Sequence, residues 1–422
     1  MSNLNIITSL LQIPGAVLKS ITPSSFMLTL PVKPHRCPCC KTSTSSIHSY
    51  YNQPVKSALF MDINATLIYR KRRYICPHCR KTFFEDNSFI SRYQRMTRST
   101  IEKIVYEHGH LQSSSDIARR YNISPTTAQR IFNQISVENY QLSAVISIDE
   151  FKGNAGGKKF QVVINDLLEY RCLNILSDRS KEALPMEINK YPLSERRKVK
   201  YVVTDLSASF KKLIKDFFPN AKIIADRFHV LRLANDALDT VRRQVQNKLP
   251  DRQKKYFKRA RFLMLCRTKN LKTYEDYLAL QVMLNFSDKL SAAYAMKEAF
   301  FEILESKTEN EFKKKIKIFI AAAEKQNIPA YNKLLKTLRT WKTEIWHAVK
   351  YKKYSNGFTE GCNNTIKNLK RVCYNFRNFG NFKRRIIFLL NDPSRKNRRY
   401  NEAEKNRKRS SKKIAASIDH NI

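Results

Sequence analysis

Residues Val145–Leu176 read VISIDEFKGNAGGKKFQVVINDLLEYRCLNIL. Three apolar, β-branched runs lie in this stretch, at Val145–Ile148, Phe160–Ile164 and Cys172–Leu176. Short runs of this kind, bounded by turn residues, predict strands buried on both faces. Asn154-Ala155-Gly156-Gly157 supplies the first turn, so the three runs predict a meander. A helix follows around Lys181–Lys190, then a strand at Val199–Thr204. Phe210, Leu213, Ile214 and Phe217 mark an amphipathic helix, stopped by Pro219. A fifth strand, Ala221–Ala225, runs into Asp226-Arg227-Phe228-His229.

Three strands, helix, strand, helix, strand is the element order of a ribonuclease H-like α/β core. Two of its runs end in an acid: ISIDEF carries Asp149 and VVTDLS carries Asp205. A carboxylate at a strand end sits at the rim of a sheet, within reach of metals and substrates. A third acid lies far along the chain in FTEGCN, Phe358–Asn363. Read as a helix, Ser355–Cys373 places Asn364, Lys367 and Arg371 within about 40° of Glu360 at ~100° per residue. Cys362, Ile366, Leu369 and Cys373 fall on the opposite side and predict the packed face. Glu360 lies in the first turns, where the helix dipole favours an anion. Gly361 costs a helix about 1 kcal/mol relative to Ala, which points to something approaching closely. Taken singly, each acid reads as a cap or a salt-bridge partner. Taken together, Asp149, Asp205 and Glu360 predict an oxygen-ligand site for two divalent ions. Glu150 points to the other face of its strand and is a weaker candidate. Asp166, Asp178 and Asp236 gain no particular support.

The chain has 422 residues and a formal charge of +43. Residues 1–140 carry a net +11 and residues 393–422 a net +7, which leaves +25 on the body between them. Such a body repels itself unless a polyanion neutralises it, and nucleic acid is the first candidate, ahead of an anionic membrane. Hydrophobic content of 42% suffices for real cores. No run of 18 apolar residues exists, so a spanning helix is not expected. The start of the chain lacks a basic n-region and a clean apolar stretch, so a signal peptide is not expected either. Nine cysteines, several in CxxC pairs, fit metal or thiol use in a reducing cytoplasm.

Cys37/Cys40 and Cys76/Cys79 form two CxxC pairs 35 residues apart. Each presents two thiolates from one tight turn, and two turns complete a tetrahedron around a structural Zn²⁺. The gap predicts strands at Ala58–Met61 and Thr66–Tyr74, the latter carrying Arg70, Lys71, Arg72 and Arg73. Cys39 and His78 read as bystanders. A module over 33–90 follows an N-terminal segment, 1–32. Residues 97–140 then predict helices, with Ile101, Ile104 and Val105 on one stripe. Ser115 caps a helix through Tyr121, Asn122-Ile123-Ser124 makes a turn, and Ser124 with Pro125 starts the next helix. Ala128, Ile131, Phe132 and Ile135 face inward there. Thr126, Thr127, Gln129, Arg130, Asn133 and Gln134 face outward, with the chemistry of a major-groove helix. A helix-turn-helix is preferred to a plain helical hairpin on the charge and the adjacent zinc module. Residues 231–345 predict a helical insertion into the core of 144–230, which resumes at 346–392; Trp341 and Trp346 read as its packing. Residues 393–422 read as a disordered basic tail.

Together the paired CPxC segments with CPHCRKTFFE, the helix-turn-helix, ISIDEF with VVTDLS and ADRFHV, and YSNGFTEGCNNTIKNLKRVCYNFRNFGNFKRRI resemble the ISL3 family of insertion-sequence transposases over residues 30–392. The resemblance implies a DDE transposase whose acids fall on Asp149, Asp205 and Glu360, with two Mg²⁺ ions, for which Mn²⁺ can substitute. Asp226 and His229 match a further family motif. Lys367, Arg371, Arg377 and Lys383 would neutralise DNA backbone. The implied partners are the terminal inverted repeats and target DNA, bound by a homodimer. Two departures stand out: Val372-Cys373-Tyr374-Asn375 stands where the family segment is usually rich in glycine, and an extra Cys39 crowds the first CxxC pair. Two other readings stay open: a DNA-binding regulator with a non-catalytic body, and a nuclease without strand transfer.

Overall fold

The computed structural model describes residues 13, 15–58, 65–91, 94–136, 140–257 and 260–392. The chain divides into two compact units, Met1–Val137 with Asn368–Asn375, and Glu138–Lys367 with Phe376–Ile422.

The first unit contains a sheet of β1 (Val17–Thr22), β2 (Ser25–Thr29), β5 (Ile47–Val55), β6 (Thr66–Ile75) and β7 (Thr82–Phe84). Its order is β1-β2-β6-β5, with β7 also pairing β6. A two-stranded ribbon, β3 (His35–Arg36) and β4 (Ser43–Thr44), stands apart. The expected strand at Thr66–Tyr74 is β6, extended by one residue. The strand expected at Ala58–Met61 lies, beyond Ala58, outside the described residues. β5 pairs β6, and its Pro54 and polar residues argue against a central strand. It holds the sheet edge, where a residue lacking an N–H is tolerated. Arg72 is not on the basic surface. It is buried, donating from Nη1 to Glu85 Oε2 at 3.1 Å and to Leu30 O at 2.7 Å. Glu85 Oε1 also accepts from Tyr69 OH and the Arg72 amide, so both oxygens of the buried carboxylate are bonded.

Three helices follow: α1 (Arg98–His108), α2 (Ser114–Arg120) and α3 (Pro125–Asn133). Ile104, Ile117, Ala118, Tyr121, Ala128 and Ile131 form their shared core. The cap of α2 is Ser113, not Ser115, because Asp116 at the third helical position completes a reciprocal capping box with it. Ser124 and Pro125 start α3 as expected, with Asn122 left-handed in the turn. Ile135 lies beyond the end of α3 and is only partly buried.

The second unit is built on a five-stranded sheet of order β10-β9-β8-β11-β12. β8 (Val145–Phe151), β9 (Gln161–Asp166) and β10 (Arg171–Leu176) form the antiparallel meander. α4 (Ala183–Ile188) leads to β11 (Tyr201–Thr204), and α5 (Ala208–Phe217) to β12 (Lys222–Ala225). β8, β11 and β12 run parallel. Both sheet faces are covered. Ile146, Ile148, Val162, Val202 and Ile223 join the large core, while Val145, Val203 and Ile224 face the other way against Ala348. The turn after β8 needs glycine at 156, where φ is +60° and a Cβ would lie 2.9 Å from the Phe379 Cβ.

From α6 (Arg227–Lys248) onward the described residues are helical: α7 (Ala260–Leu265), α8 (Tyr274–Leu284), α9 (Asp288–Ile303), α10 (Glu309–Gln326), α11 (Asn332–Thr340) and α12 (Lys342–Lys350). Trp341 and Trp346 are buried among them. These helices share one continuous core with the sheet. α13 (Gly357–Val372) and α14 (Phe379–Leu390) close the fold. The basic tail after 392 lies outside the described residues.

Candidate active site and DNA-binding modules

Strand register brings the acids of the second unit together. Ile148 pairs with Thr204, and Thr204 pairs with Ala225. The next residue on each strand is Asp149, Asp205 and Asp226, so three acids stand at one level across three neighbouring parallel strands. β8 does not stop at Asp149 as expected but continues to Phe151 along β9. What ends at Asp149 is its pairing with β11, and that opens the rim on this side.

Asp149 Oδ1 accepts the Glu150 amide at 2.8 Å. Its Oδ2 accepts from Asn356 Nδ2 at 3.3 Å and from Asn363 Nδ2 at 3.0 Å. Burial and the neighbouring Asp205 charge push the Asp149 carboxyl up to about 6. Burial also raises Asp205, whose Oδ1 is buried with no hydrogen-bond donor. Asp226 caps α6 by accepting the Phe228 amide, and its Oδ2 lies 2.7 Å from His229 Nδ1. That bond holds the imidazole pKa above its usual value, with the Asp205 and Asp149 charges adding to it. Glu150, turned to the other side, pairs with Arg179. Asp166 and Asp178 are tied to Arg171 and Lys158, and Asp236 to Arg232.

α13 lies against the β8 face that carries Ser147 and Asp149. The buried Thr359 hydroxyl is 2.5 Å from Ser147 Oγ and accepts from Asn165 Nδ2 at 3.0 Å. Cys362, Ile366 and Leu369 form the packed side, as the periodicity predicts. Glu360 lies in the first turn with an exposed side chain. It stands between Asn356 and Asn363 along the helix, both of which reach Asp149. The Glu360 stripe takes in Asn364, which is exposed; at ~100° per residue Asn356 and Asn363 lie on the other side of Glu360, about 40° and 60° away. A Cβ at Gly361 would meet nothing within 4 Å, so no part of the chain requires glycine there. Lys367, Arg371 and Arg377 are exposed. Lys383 is not beside the carboxylates: it is half-buried, with Glu187, Lys190 and Cys172 as its charge neighbours.

The thiols form the tighter cluster. Cys37, Cys40, Cys76 and Cys79 place their sulfurs within 4.8 Å of one another, the one group of three or more His, Cys, Asp or Glu among the described residues that does so. Both turns have the same build: Lys41 N donates to Cys37 O and Arg80 N to Cys76 O, and Lys41 and Arg80 are both left-handed. The Thr42 hydroxyl and amide pull the Cys40 thiol down to about 5. Four sulfurs so gathered fit a tetrahedral Zn²⁺ with no open position. Cys39 and His78 are exposed bystanders.

Tyr51 and Phe84 are exposed on the sheet of this unit, with rings 6.1 Å apart. Lys71 lies 4.6 Å and Arg73 6.0 Å from the Phe84 ring. On α3, Thr126 and Arg130 are exposed and Thr127 half-buried. Gln129 is committed internally, accepting from Ser114 Oγ and donating to Asn133 Oδ1. Thr127 and Arg130 line a cleft with Lys56 and Arg95.

These features define a zinc-binding, DNA-binding enzyme with acids at the rim of a mixed sheet, and comparison with known proteins assigns its family. A transposase model of the ISL3 family matches residues 146–386. The helix-turn-helix domain of ISL3 transposases matches 85–136, and the zinc finger of the IS204/IS1001/IS1096/IS1165 transposases matches 33–79. The transposase for insertion sequence element IS1001 of Bordetella parapertussis is 23% identical over 352 residues, covering 81% of this chain and 85% of that protein. The chain belongs to the ISL3 family of transposases. It is a DNA transposase with a helix-turn-helix DNA-binding region and a structural zinc module. Among the described residues no helix is long and apolar enough to cross a membrane.

Proposed function

We propose that this transposase is of the DDE type, with a ribonuclease H-like core interrupted between β12 and α13 by the helical segment, and that Asp149, Asp205 and Glu360 are its catalytic acids. The observation that carries the reading is the register alignment of Asp149 with Asp205, beside a helix whose Asn356 and Asn363 bracket Glu360 and grip Asp149. The donor set fits a hard divalent cation. It offers carboxylate oxygens, two of its carboxyls are raised by burial, and the buried Asp205 Oδ1 has no donor. When bound, Mg²⁺ (or Mn²⁺) supplies charge stabilisation for in-line phosphoryl displacement.

The chain's own groups do the rest. Asp149 and Asp205 would hold the cation at the sheet rim, and Glu360 would add its carboxylate from α13. His229, held by Asp226 and with its imidazole pKa raised, is an accessory group beside the acids for the scissile phosphate. Water forms the new P–O bond at the transposon end and the 3′ oxygen leaves. That 3′-hydroxyl then attacks a target phosphate and displaces a second 3′ oxygen. Lys367, Arg371 and Arg377 neutralise backbone. Thr126, Thr127 and Arg130 of α3, with Gln129 and Asn133 behind them, read the terminal inverted repeats. The Tyr51–Lys71–Arg73–Phe84 face lies on flanking DNA. Two ends are held at once, so the working form is a dimer on DNA.

The test is an assay with Mg²⁺, DNA carrying the element's own ends and a target plasmid. Wild type yields joined products and Asp149→Asn none. Equal products from both would refute the assignment. Cleavage without joining would favour a nuclease, and metal-independent binding alone a regulator.

A further inference from the structure

Asn356 occupies the cap position of α13, since its carbonyl accepts the Glu360 amide at 2.9 Å. An asparagine there ordinarily turns its side-chain oxygen onto the first free amides of the helix. Here that oxygen is buried and has no partner, and the amide nitrogen is spent on Asp149 Oδ2. Asn363, two turns on, does the same: its nitrogen donates to Asp149 Oδ2 at 3.0 Å, and its Oδ1 is buried without a partner. The Glu150 amide holds the other oxygen, Oδ1. Asp149 therefore meets three N–H donors on two oxygens, which fixes its rotation. Two of the donors come from the helix that carries Glu360.

We propose that Asn356 and Asn363 are a pair of positioning residues: they set the Asp149 carboxylate and the Glu360 turn in one geometry, and so determine divalent-cation affinity at the acidic site. Two acids 211 residues apart in sequence need a local device to hold them in common register. Second-layer partners of this kind typically govern metal affinity by about 10–100-fold. Neither oxygen bonding nor helix capping explains both asparagines, because each leaves its oxygen idle and uses its nitrogen on the same carboxylate atom. The inference rests on the DDE reading above.

The test measures Mn²⁺ binding by electron paramagnetic resonance on the zinc-loaded full-length protein, with a thermal melt run alongside. Asn356→Ser is the decisive variant. Serine caps a helix as well as asparagine does, but its side chain is too short to reach Asp149. A purely structural Asn356 predicts unchanged melting and unchanged Mn²⁺ affinity. The positioning role predicts unchanged or higher melting with about tenfold weaker Mn²⁺ binding. Asn363→Ala is expected to weaken Mn²⁺ binding to a similar degree. Wild-type affinity (within twofold) in both variants, with binding lost in Asp149→Asn, overturns the positioning role alone. Undiminished binding in Asp149→Asn overturns the DDE reading and this inference with it.

Discussion

At the scale of single residues, the site trades stability for chemistry. Burial and Asp205 raise the Asp149 carboxyl from an ordinary 3.8 to about 6. A raised acid stabilises the fold most below its unfolded pKa, and that contribution is lost as pH climbs through the folded value. The loss runs from about pH 4 to about pH 6 and is of order 2–3 kcal/mol. Asp149→Asn is therefore expected to melt above wild type at pH 7 in Mg²⁺-free buffer, the gap closing toward pH 4. Added Mg²⁺ should raise the wild-type melting temperature and leave the variant's unchanged. Calorimetry across that pH range checks both. His229 is raised as well, so its contribution is also lost with rising pH, above 6.5. A second strained point lies at Tyr374 and Asn375, left-handed at φ 51° and 76°. A left-handed non-glycine residue costs roughly 1–2 kcal/mol, against about 1 kcal/mol of extra chain entropy for glycine. Tyr374→Gly should thus gain up to ~1 kcal/mol in denaturant melts, and Asn375→Gly less, because Asn tolerates this conformation better.

At the scale of elements, α13 shows what a helix pattern reveals and what it hides. The packed side of Cys362, Ile366 and Leu369 was legible from period alone. The contact with Asp149 was not, because it depends on which strand face the helix covers. Likewise the meander and crossover order follow from apolar runs, while the alignment of Asp149, Asp205 and Asp226 follows only from strand pairing. β5 stayed hidden behind Pro54 and its polar residues, since edge position, not composition, makes it a strand. Gly361 gives this scale its test. No chain atom would meet a Cβ there, so Gly361→Ala should stabilise α13 by about 1 kcal/mol. If substrate DNA passes close by, strand transfer falls while melting rises; unchanged transfer would mean the glycine serves no approach. The zinc turns give another. Cys76→Ser should speed hydrogen exchange at the Lys41 and Arg80 amides, which bond the knuckle carbonyls, and leave β8 and β11 protected.

At the scale of the whole molecule, a charge of +43 spread over every segment makes affinity for DNA inevitable and specificity the harder achievement. Phosphate neutralisation is blind to sequence, so the body's exposed cations and the base-reading helix should separate in their salt and sequence dependence. Lys367 and Arg377 are exposed outside the helix-turn-helix. Replacing either by Ala should weaken binding to all duplexes alike and reduce the slope of log Kobs against log salt by about 1. Arg130 is exposed on α3, beside a cleft it shares with Lys56 and Arg95. Arg130→Ala should cost about 1–3 kcal/mol on the element's own end and much less on unrelated duplex. Titrations of each variant on both duplexes at several salt concentrations decide the matter. An Arg130→Ala loss equal on both DNAs would make Arg130 one more backbone cation and move end recognition elsewhere in the unit.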